Sequence, residues 1–171
     1  FETIRLVFDA AGVARLTLAR ADVHNALNPT MFQEIGEALD LIEANPAARV
    51  VVLSGDGENF CAGGDFRWQQ SQGDQDRASR IRSGVPLARI LARLDSFGRP
   101  IIGRINGSAY GGGVGLIAIC DVVVAVDSAR ISLSEVRLGL VPATISPYVA
   151  AKLGPSYARR VFLNGKIMTA A

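Results

Sequence analysis

The chain has 171 residues and a mass of 18.1 kDa, a length that favours a single domain around one hydrophobic core. Hydrophobic residues make up 49% and charged residues 20%, with a mean hydropathy of +0.26, which excludes a disordered chain. The net charge of +2 gives no support to nucleic-acid binding. No apolar run approaches the roughly 18 residues of a membrane span, so no membrane partner is expected.

Scarce residue types narrow the chemistry further. His24 is the sole histidine, which excludes a metal site built from several histidines. Cys61 and Cys120 lie far apart and form no CxxC motif, so neither a metal site nor a disulfide framework is expected. Two unpaired thiols are typical of a reducing compartment and predict a cytoplasmic protein. The chain begins at Phe1 rather than Met, which leaves open an organellar leader that has been removed.

The hydrophobic pattern predicts alternating strands and helices. Ile4–Phe8 and Val13–Leu18 alternate apolar and polar residues and predict a β-hairpin. Asn28-Pro29 pairs a capping side chain with a first-turn proline and predicts a helix that runs to about Ala44. The other predicted elements are the strands Val50–Leu53, Ile101–Ile105, Val122–Val126 and Ile131–Leu133 and the helices Ile81–Leu94, Leu116–Cys120, Ile145–Leu153 and Pro155–Leu163. This alternation predicts an α/β fold with much parallel strand pairing.

Two of the predicted buried strands lead into glycine-rich turns. Val50–Leu53 precedes FCAGGD (Phe60–Asp65), and Ile101–Ile105 precedes YGGGVG (Tyr110–Gly115). Glycines let a ligand approach the backbone closely, and a helix start adds N–H groups without partners. Two such turns facing each other would direct two donors at one oxygen, as in an oxyanion hole. A single glycine turn is more often a device for tight packing, and neither turn has the pattern of a phosphate-binding loop.

These motifs resemble a known superfamily. FCAGGD, NGSAYGGGVGLIAICD (Asn106–Asp121) and SLSEVRLGLVPA (Ser132–Ala143), in this order and spacing, resemble the crotonase (enoyl-CoA hydratase/isomerase) superfamily. The resemblance extends over nearly the whole chain, including the HNALN segment (His24–Asn28). It implies a single core domain over residues 1–171, with an α/β spiral of ββα units that binds an acyl-CoA thioester.

The resemblance also implies roles for particular residues. The backbone amides of Gly64 and Gly112 would hold the thioester oxygen as it gains enolate charge, and Glu135 would be the acid/base. Partial burial is expected to raise the pKa of Glu135. The backbone around Ala62, Asp65 and Phe66 would contact the adenine of CoA. Arg20 and His24 would lie near the CoA phosphates. No metal or organic cofactor is expected, since CoA is part of the substrate.

One departure from the family pattern leaves the reaction open. Two-glutamate hydratases place their first glutamate where this chain has Gly115, a position expected to line the substrate site. A hydratase that uses Glu135 alone is favoured, with a methylglutaconyl-CoA-like substrate from branched-chain amino acid degradation suggested by the segment around Glu135. The alternatives are a Δ3,Δ2-enoyl-CoA isomerase with one base and a non-catalytic acyl-CoA-binding relative. If the hydratase prediction holds, Gly115→Glu is expected to raise activity on a simple enoyl-CoA.

The end of the chain is a second departure. Family members continue beyond the position of Ala171 into C-terminal helices that cover the acyl pocket and help to form trimers. These helices are expected to be missing from the present chain. The intact protein is expected to be a homotrimer or a hexamer made of two trimers.

Overall fold

A short hairpin opens the fold, as predicted, and the chain then alternates between two sheets. The computed structural model describes residues 1–71, 73 and 75–170. Its strands are β1 Ile4–Phe8, β2 Val13–Leu18, β3 Val50–Gly55, β4 Asn59–Cys61, β5 Ile101–Ile105, β6 Ser108–Tyr110, β7 Val122–Ala125, β8 Arg130–Ser132 and β9 Met168–Thr169. Its helices are α1 Pro29–Ala44, α2 Phe66–Ser71, α3 Arg77–Asp95, α4 Gly112–Ala118, α5 Ser146–Leu153 and α6 Pro155–Asn164, with 3₁₀ turns at Ala21–Val23 and Glu135–Leu138.

The first sheet has the strand order β1-β2-β3-β5-β7. Only the β1–β2 hairpin is antiparallel, and the pairs β2–β3, β3–β5 and β5–β7 are parallel. Helix α1 begins at the predicted cap, where the Asn28 side chain accepts a hydrogen bond from the Met31 N–H at 2.9 Å. Its apolar side, which includes Ile35 and Leu39, is buried in the same core as Leu16 and Leu53 of the sheet.

The second sheet has the order β4-β6-β8-β9 and was only partly predicted. A strand of the first sheet precedes each of β4, β6 and β8, so each passage of the chain adds one strand to each sheet. The crossing from β5 to β6 requires Gly107, because a Cβ there would lie 1.8 Å from the Glu58 carbonyl oxygen. Parallel pairing of β4–β6 and β6–β8 brings the carboxyl ends of these strands to one edge, and the candidate site lies there.

The helices of the described chain differ from the predictions mainly at their ends. Helix α3 begins at Arg77, four residues before the predicted start, because the Asp76 side chain accepts a hydrogen bond from the Ser79 N–H at 2.7 Å. Helix α4 begins at Gly112, directly within the glycine motif. In the described part of the chain, no helix combines the length and apolar character needed to cross a membrane.

Candidate functional site

In the first glycine motif, the N–H of Gly64 points away from Leu27, the residue with which Gly64 is paired. Leu27 forms a parallel bridge with Gly64, in which the Leu27 N–H donates to the Gly63 oxygen at 2.7 Å. The Asp65 N–H in turn donates to the Leu27 oxygen at 2.8 Å. In parallel pairing, the N–H of the residue between these two bonds points to the other side. The Gly64 N–H therefore faces away from Leu27.

The second glycine motif supplies a donor from a helix start. Gly111 is the N-cap of α4 and has a φ of 49°, a conformation that favours glycine. Its carbonyl accepts a hydrogen bond from the Val114 N–H at 2.9 Å, and its own N–H donates to the Ser132 oxygen at 3.1 Å. Gly112 is the first residue of the helix, where an N–H has no partner within the helix.

The two motifs meet backbone to backbone. A Cβ on Gly63 would lie 2.8 Å from the Tyr110 oxygen and 3.5 Å from the Gly112 nitrogen, and a Cβ on Gly113 would lie 2.5 Å from the Cys61 oxygen. Only glycines allow this approach, because any side chain would separate the two turns. Gly64 and Gly112 line the same cavity, so the structure brings together the two amides that the sequence singled out.

Glu135 lies beside these glycines. It begins the 3₁₀ turn after β8, and its Oε1 would be 3.2 Å from a Cβ on Gly111. Its Oε2 is buried and has no hydrogen-bond partner in the described part of the chain. Burial raises the pKa of Glu135 above its usual value, although a hydrogen bond from its own backbone N–H opposes the rise. A carboxyl group with a raised pKa is better suited to take up and return a proton than an ordinary exposed glutamate.

Two adjoining cavities, of about 160 and 110 Å³, open at this place. The residues that line both cavities are Gly64, Gln69, Gly112, Glu135 and Leu140. Most residues around the larger cavity have apolar side chains, and among them the rings of Phe32 and Trp68 meet edge to face at 5.9 Å. The boundary between the two cavities thus has both glycines and Glu135 on its wall.

Arg20 and Asp65, two of the predicted CoA contacts, form an ion pair with each other. Arg20 Nη2 lies 3.0 Å from Asp65 Oδ2, and Arg20 Nη1 donates to the Ala26 oxygen at 2.6 Å. Asp65 also caps α2 by accepting from the Arg67 N–H at 3.0 Å. Burial alone would raise the pKa of Asp65, but Arg20 and the helix N–H groups outweigh it and hold the pKa below its usual value. The ion pair fixes the position of the Arg20 guanidinium, and its role at the CoA phosphates stays a prediction.

The other predicted CoA contacts are Ala62, His24 and Phe66. Ala62 lines the smaller cavity, and its N–H donates to the His24 oxygen at 2.9 Å. His24 is exposed with a φ of 54°, and its Nδ1 lies 3.1 Å from the Asn59 amide nitrogen. Phe66 is 70% exposed at the start of α2. Their contacts with CoA stay predictions.

Gly115 is not among the described residues that line the two cavities. This residue is buried in α4, where a Cβ would lie 2.4 Å from Cγ2 of Ile145. Ile145 itself lines the larger cavity. A glutamate at position 115 would therefore require Ile145 to move, and the gain in activity expected from Gly115→Glu stays a prediction.

Several residues of the site escaped the sequence analysis. Four residues that belong to no motif line the larger cavity, namely Gln69, Phe32, Trp68 and Ile145.

Asn25 holds the segments before the first glycine motif together. It is buried with a φ of 56°, and its side chain accepts a hydrogen bond from the Arg20 N–H and donates to the carbonyls of Asp56 and Asn59, each at 2.9 Å. The HNALN motif contained this signal, because asparagine tolerates the left-handed conformation.

The two cysteines remain poor candidates for chemistry. Cys61 and Cys120 are both buried, and burial raises the pKa of each thiol to about 12. Neither is therefore a thiolate at neutral pH, and neither is a candidate nucleophile.

Comparison with known proteins confirms the resemblance. Residues 9–171 match the family model described as enoyl-CoA hydratase/isomerase. The chain belongs to this family. It is 33% identical over 159 residues to the 2,3-dehydroadipyl-CoA hydratase of Escherichia coli. This match covers 92% of this chain and 60% of that protein. It is also 33% identical over 160 residues to an enoyl-CoA hydratase of Alternaria alternata, with 94% and 52% covered.

The family assignment extends to the three-dimensional fold. A solved enoyl-CoA hydratase from Shewanella pealeana superposes with a TM-score of 0.94 at 36% identity, covering 98% of this chain and 63% of that chain. A solved enoyl-CoA hydratase from Mycobacterium smegmatis gives a TM-score of 0.91 at 28% identity. The predicted crotonase-like α/β fold is thus confirmed. The chain spans about half to two thirds of the length of these relatives.

Proposed function

We propose that this protein is a hydratase that adds water to an α,β-unsaturated acyl-CoA thioester, and removes water in the reverse direction. One observation carries the proposal: the partly buried carboxyl group of Glu135 shares a cavity boundary with Gly64 and Gly112. A proton carrier and two backbone donors are what this reaction requires. The family to which the chain belongs supports the same reaction class.

The proposed reaction needs one base and one oxyanion hole. Glu135 takes a proton from water while the water oxygen bonds to Cβ, and the π electrons of the double bond move onto the thioester oxygen as an enolate. The N–H groups of Gly64 and Gly112 stabilise this charge. Glu135 then returns its proton to Cα, which gives the 3-hydroxyacyl thioester. No electron is exchanged, and we propose that no metal or organic cofactor takes part.

The cavity walls bear on the substrate class. Glu135 carries the only charge among the described residues that line the larger cavity. This supports a short, uncharged acyl group, because a second carboxylate would be desolvated without a cation nearby. A methylglutaconyl-CoA-like substrate, suggested by the sequence, brings such a carboxylate and is the more demanding candidate to test.

A Δ3,Δ2-enoyl-CoA isomerase is the second candidate. It is favoured by the presence of a single carboxyl group on the described cavity walls, since one base can take a proton from one carbon and return it to another. The isomerase uses the same groups, so only the products distinguish it from a hydratase.

Assembly into a homotrimer or hexamer also stays a proposal for the intact protein. It is supported by apolar side chains left exposed beside the cavity, with Leu138 64% and Val141 76% exposed. Sedimentation of the intact protein tests this independently of activity.

The first experiment offers crotonyl-CoA, methylglutaconyl-CoA and a 3-enoyl-CoA to the intact protein in the presence of a chelator. Loss of the conjugated enoyl-thioester absorbance with a mass gain of one water supports the hydratase. A gain of that absorbance from the 3-enoyl thioester at unchanged mass supports the isomerase.

Glu135→Gln is expected to lower turnover at least 10²-fold while binding persists, and Glu58→Gln, at an exposed position, is the matched control. Unchanged turnover in Glu135→Gln would contradict both candidates, and binding without turnover in the wild type would favour a non-catalytic relative.

A further inference from the structure

One polar side chain at the cavity boundary has no role in the reaction described above. Gln69 lies on α2 and lines both cavities. Its Nε2 is so close to Gly64 that a Cβ on Gly64 would be 2.2 Å from it. The carboxamide nitrogen thus packs against the Cα of a residue whose N–H is assigned to the thioester oxygen.

The carboxamide of Gln69 is available to a ligand. Its backbone N–H donates to the Asp65 oxygen at 2.9 Å, within the turn that starts α2. Among residues 1–71, 73 and 75–170, its side chain makes no hydrogen bond. The side chain is exposed and borders both cavities, so a donor stands beside the oxyanion site without a protein partner.

We propose that Gln69 is a catalytic residue, whose Nε2–H donates a third hydrogen bond to the thioester oxygen beside the amides of Gly64 and Gly112. This inference rests on the proposed function, in which that oxygen becomes an enolate. A carboxamide does not titrate and remains a donor at every pH. A preorganised donor contributes most where negative charge develops, so the interaction strengthens as the enolate forms. Donation by Gln69 would therefore act on turnover more than on binding.

A spectroscopic test separates this role from a structural one. Hydrogen bonds to the carbonyl of a conjugated enoyl thioester polarise it and move its absorption to longer wavelength. In the Glu135→Gln background, which prevents turnover, a bound enoyl-CoA is expected to show this shift. Adding Gln69→Leu is expected to reduce the shift, and adding Gln70→Leu is expected to leave it unchanged. Gln70 is the exposed neighbour on the same short helix, so it controls for changes in α2.

Kinetics provide the second readout. Gln69→Leu in the otherwise native protein is expected to lower kcat by about 10- to 100-fold, somewhat less than is typical for loss of an oxyanion donor. The Kd for butanoyl-CoA, a saturated thioester that cannot react, is expected to change less than threefold. Gln69→Glu is expected to lose more activity, and to recover part of it as the pH falls and the new carboxyl group becomes a donor.

The outcomes distinguish this proposal from the proposed function. An unchanged absorption shift and an unchanged kcat in Gln69→Leu overturn the role of Gln69 while hydratase activity stands. A proportional loss of kcat and of butanoyl-CoA affinity also overturns it, because this is the signature of a merely structural residue. If the wild-type protein turns over none of the thioesters but Gln69→Leu still reduces the shift, the donor is supported and the hydratase proposal fails.

Discussion

The buried oxygen of Glu135 lowers the stability of the folded protein when the carboxyl group is ionised. Its Oε2 has no hydrogen-bond partner in the described chain, and burial raises its pKa. A group whose pKa is raised by folding favours the folded state at low pH and loses this contribution as the pH rises through the folded-state pKa. Glu135 therefore makes the protein less stable in the pH range where it is ionised.

Glu135→Gln is expected to raise Tm by a few degrees at pH 8, since about 1 kcal/mol moves Tm by roughly 2–4 °C in a domain of this size. The gain should shrink as the pH falls and disappear near the value of about 4.3 at which an unfolded glutamate also becomes protonated. Thermal unfolding of both proteins between pH 4 and 9 measures it. Glu58→Gln, which replaces an exposed carboxylate, should show no such trend. A pH-independent difference would mean that the carboxyl group of Glu135 is not desolvated.

Single residues also show what sequence can and cannot predict about the site. The roles of Gly64, Gly112 and Glu135 were predicted from the family resemblance, which rests on local motifs in a fixed order along the chain. The surroundings of Gly115 could not be predicted in the same way, because they depend on Ile145, which approaches from a distant part of the chain. No local pattern encodes such a contact, so it required the folded structure.

At the scale of elements, the short helix α2 depends on one aspartate. Asp65 caps the helix and pairs with Arg20, and the side chains of this pair are only 14% and 20% exposed, respectively. The helix has six residues and carries Trp68 and Gln69 into the cavity wall. So short a helix is not stable by itself, and these contacts hold it in place.

Asp65→Ala is expected to lower stability by about 1–3 kcal/mol, since a lost cap alone costs about 0.5–2 kcal/mol and Arg20 is left without its partner. The emission of Trp68, the sole tryptophan, should shift as α2 loosens, and KM should rise. Asp76→Ala removes the exposed cap of α3 and is the matched control, with a similar cap loss but an unchanged Trp68 spectrum. Equal spectra in the two variants would contradict the anchoring role of Asp65.

The elements themselves were unequally predictable. Helix α1 has a long apolar pattern and a clear N-cap. The strands β2, β3 and β5 have alternating or continuous apolar residues. All four elements lie close to where the sequence placed them. Strands β4 and β6 have three residues each, too few to show an alternation, and they lie in stretches rich in glycine and asparagine. These strands pair because the two glycine motifs approach each other. The sequence indicated that approach as part of an oxyanion hole, but it did not predict a second sheet.

At the scale of the whole molecule, the site joins distant parts of the chain. Leu27, Gly64, Gly112 and Glu135 come from four separate segments and meet where the strands of the second sheet end. A ligand that holds these segments together binds only the folded state and stabilises the whole domain. At a concentration of about 100 times its Kd, butanoyl-CoA is expected to contribute about 2.7 kcal/mol, or roughly 5–10 °C in Tm.

Gly112→Pro tests whether this stabilisation uses the proposed donor. Proline is well tolerated at the first position of a helix, so the substitution removes the N–H of Gly112 with little harm to α4. Its Cβ would lie 2.8 Å from Cδ1 of Leu27, and Gly112→Ala adds the same Cβ while it keeps the N–H. Relative to Gly112→Ala, Gly112→Pro is expected to lower kcat by about 10²–10³-fold. It should also reduce the Tm shift with butanoyl-CoA by roughly 2–4 °C, since a lost hydrogen bond is worth about 1 kcal/mol. Equal kcat and equal Tm shifts in the two variants would place the oxyanion hole elsewhere in the protein.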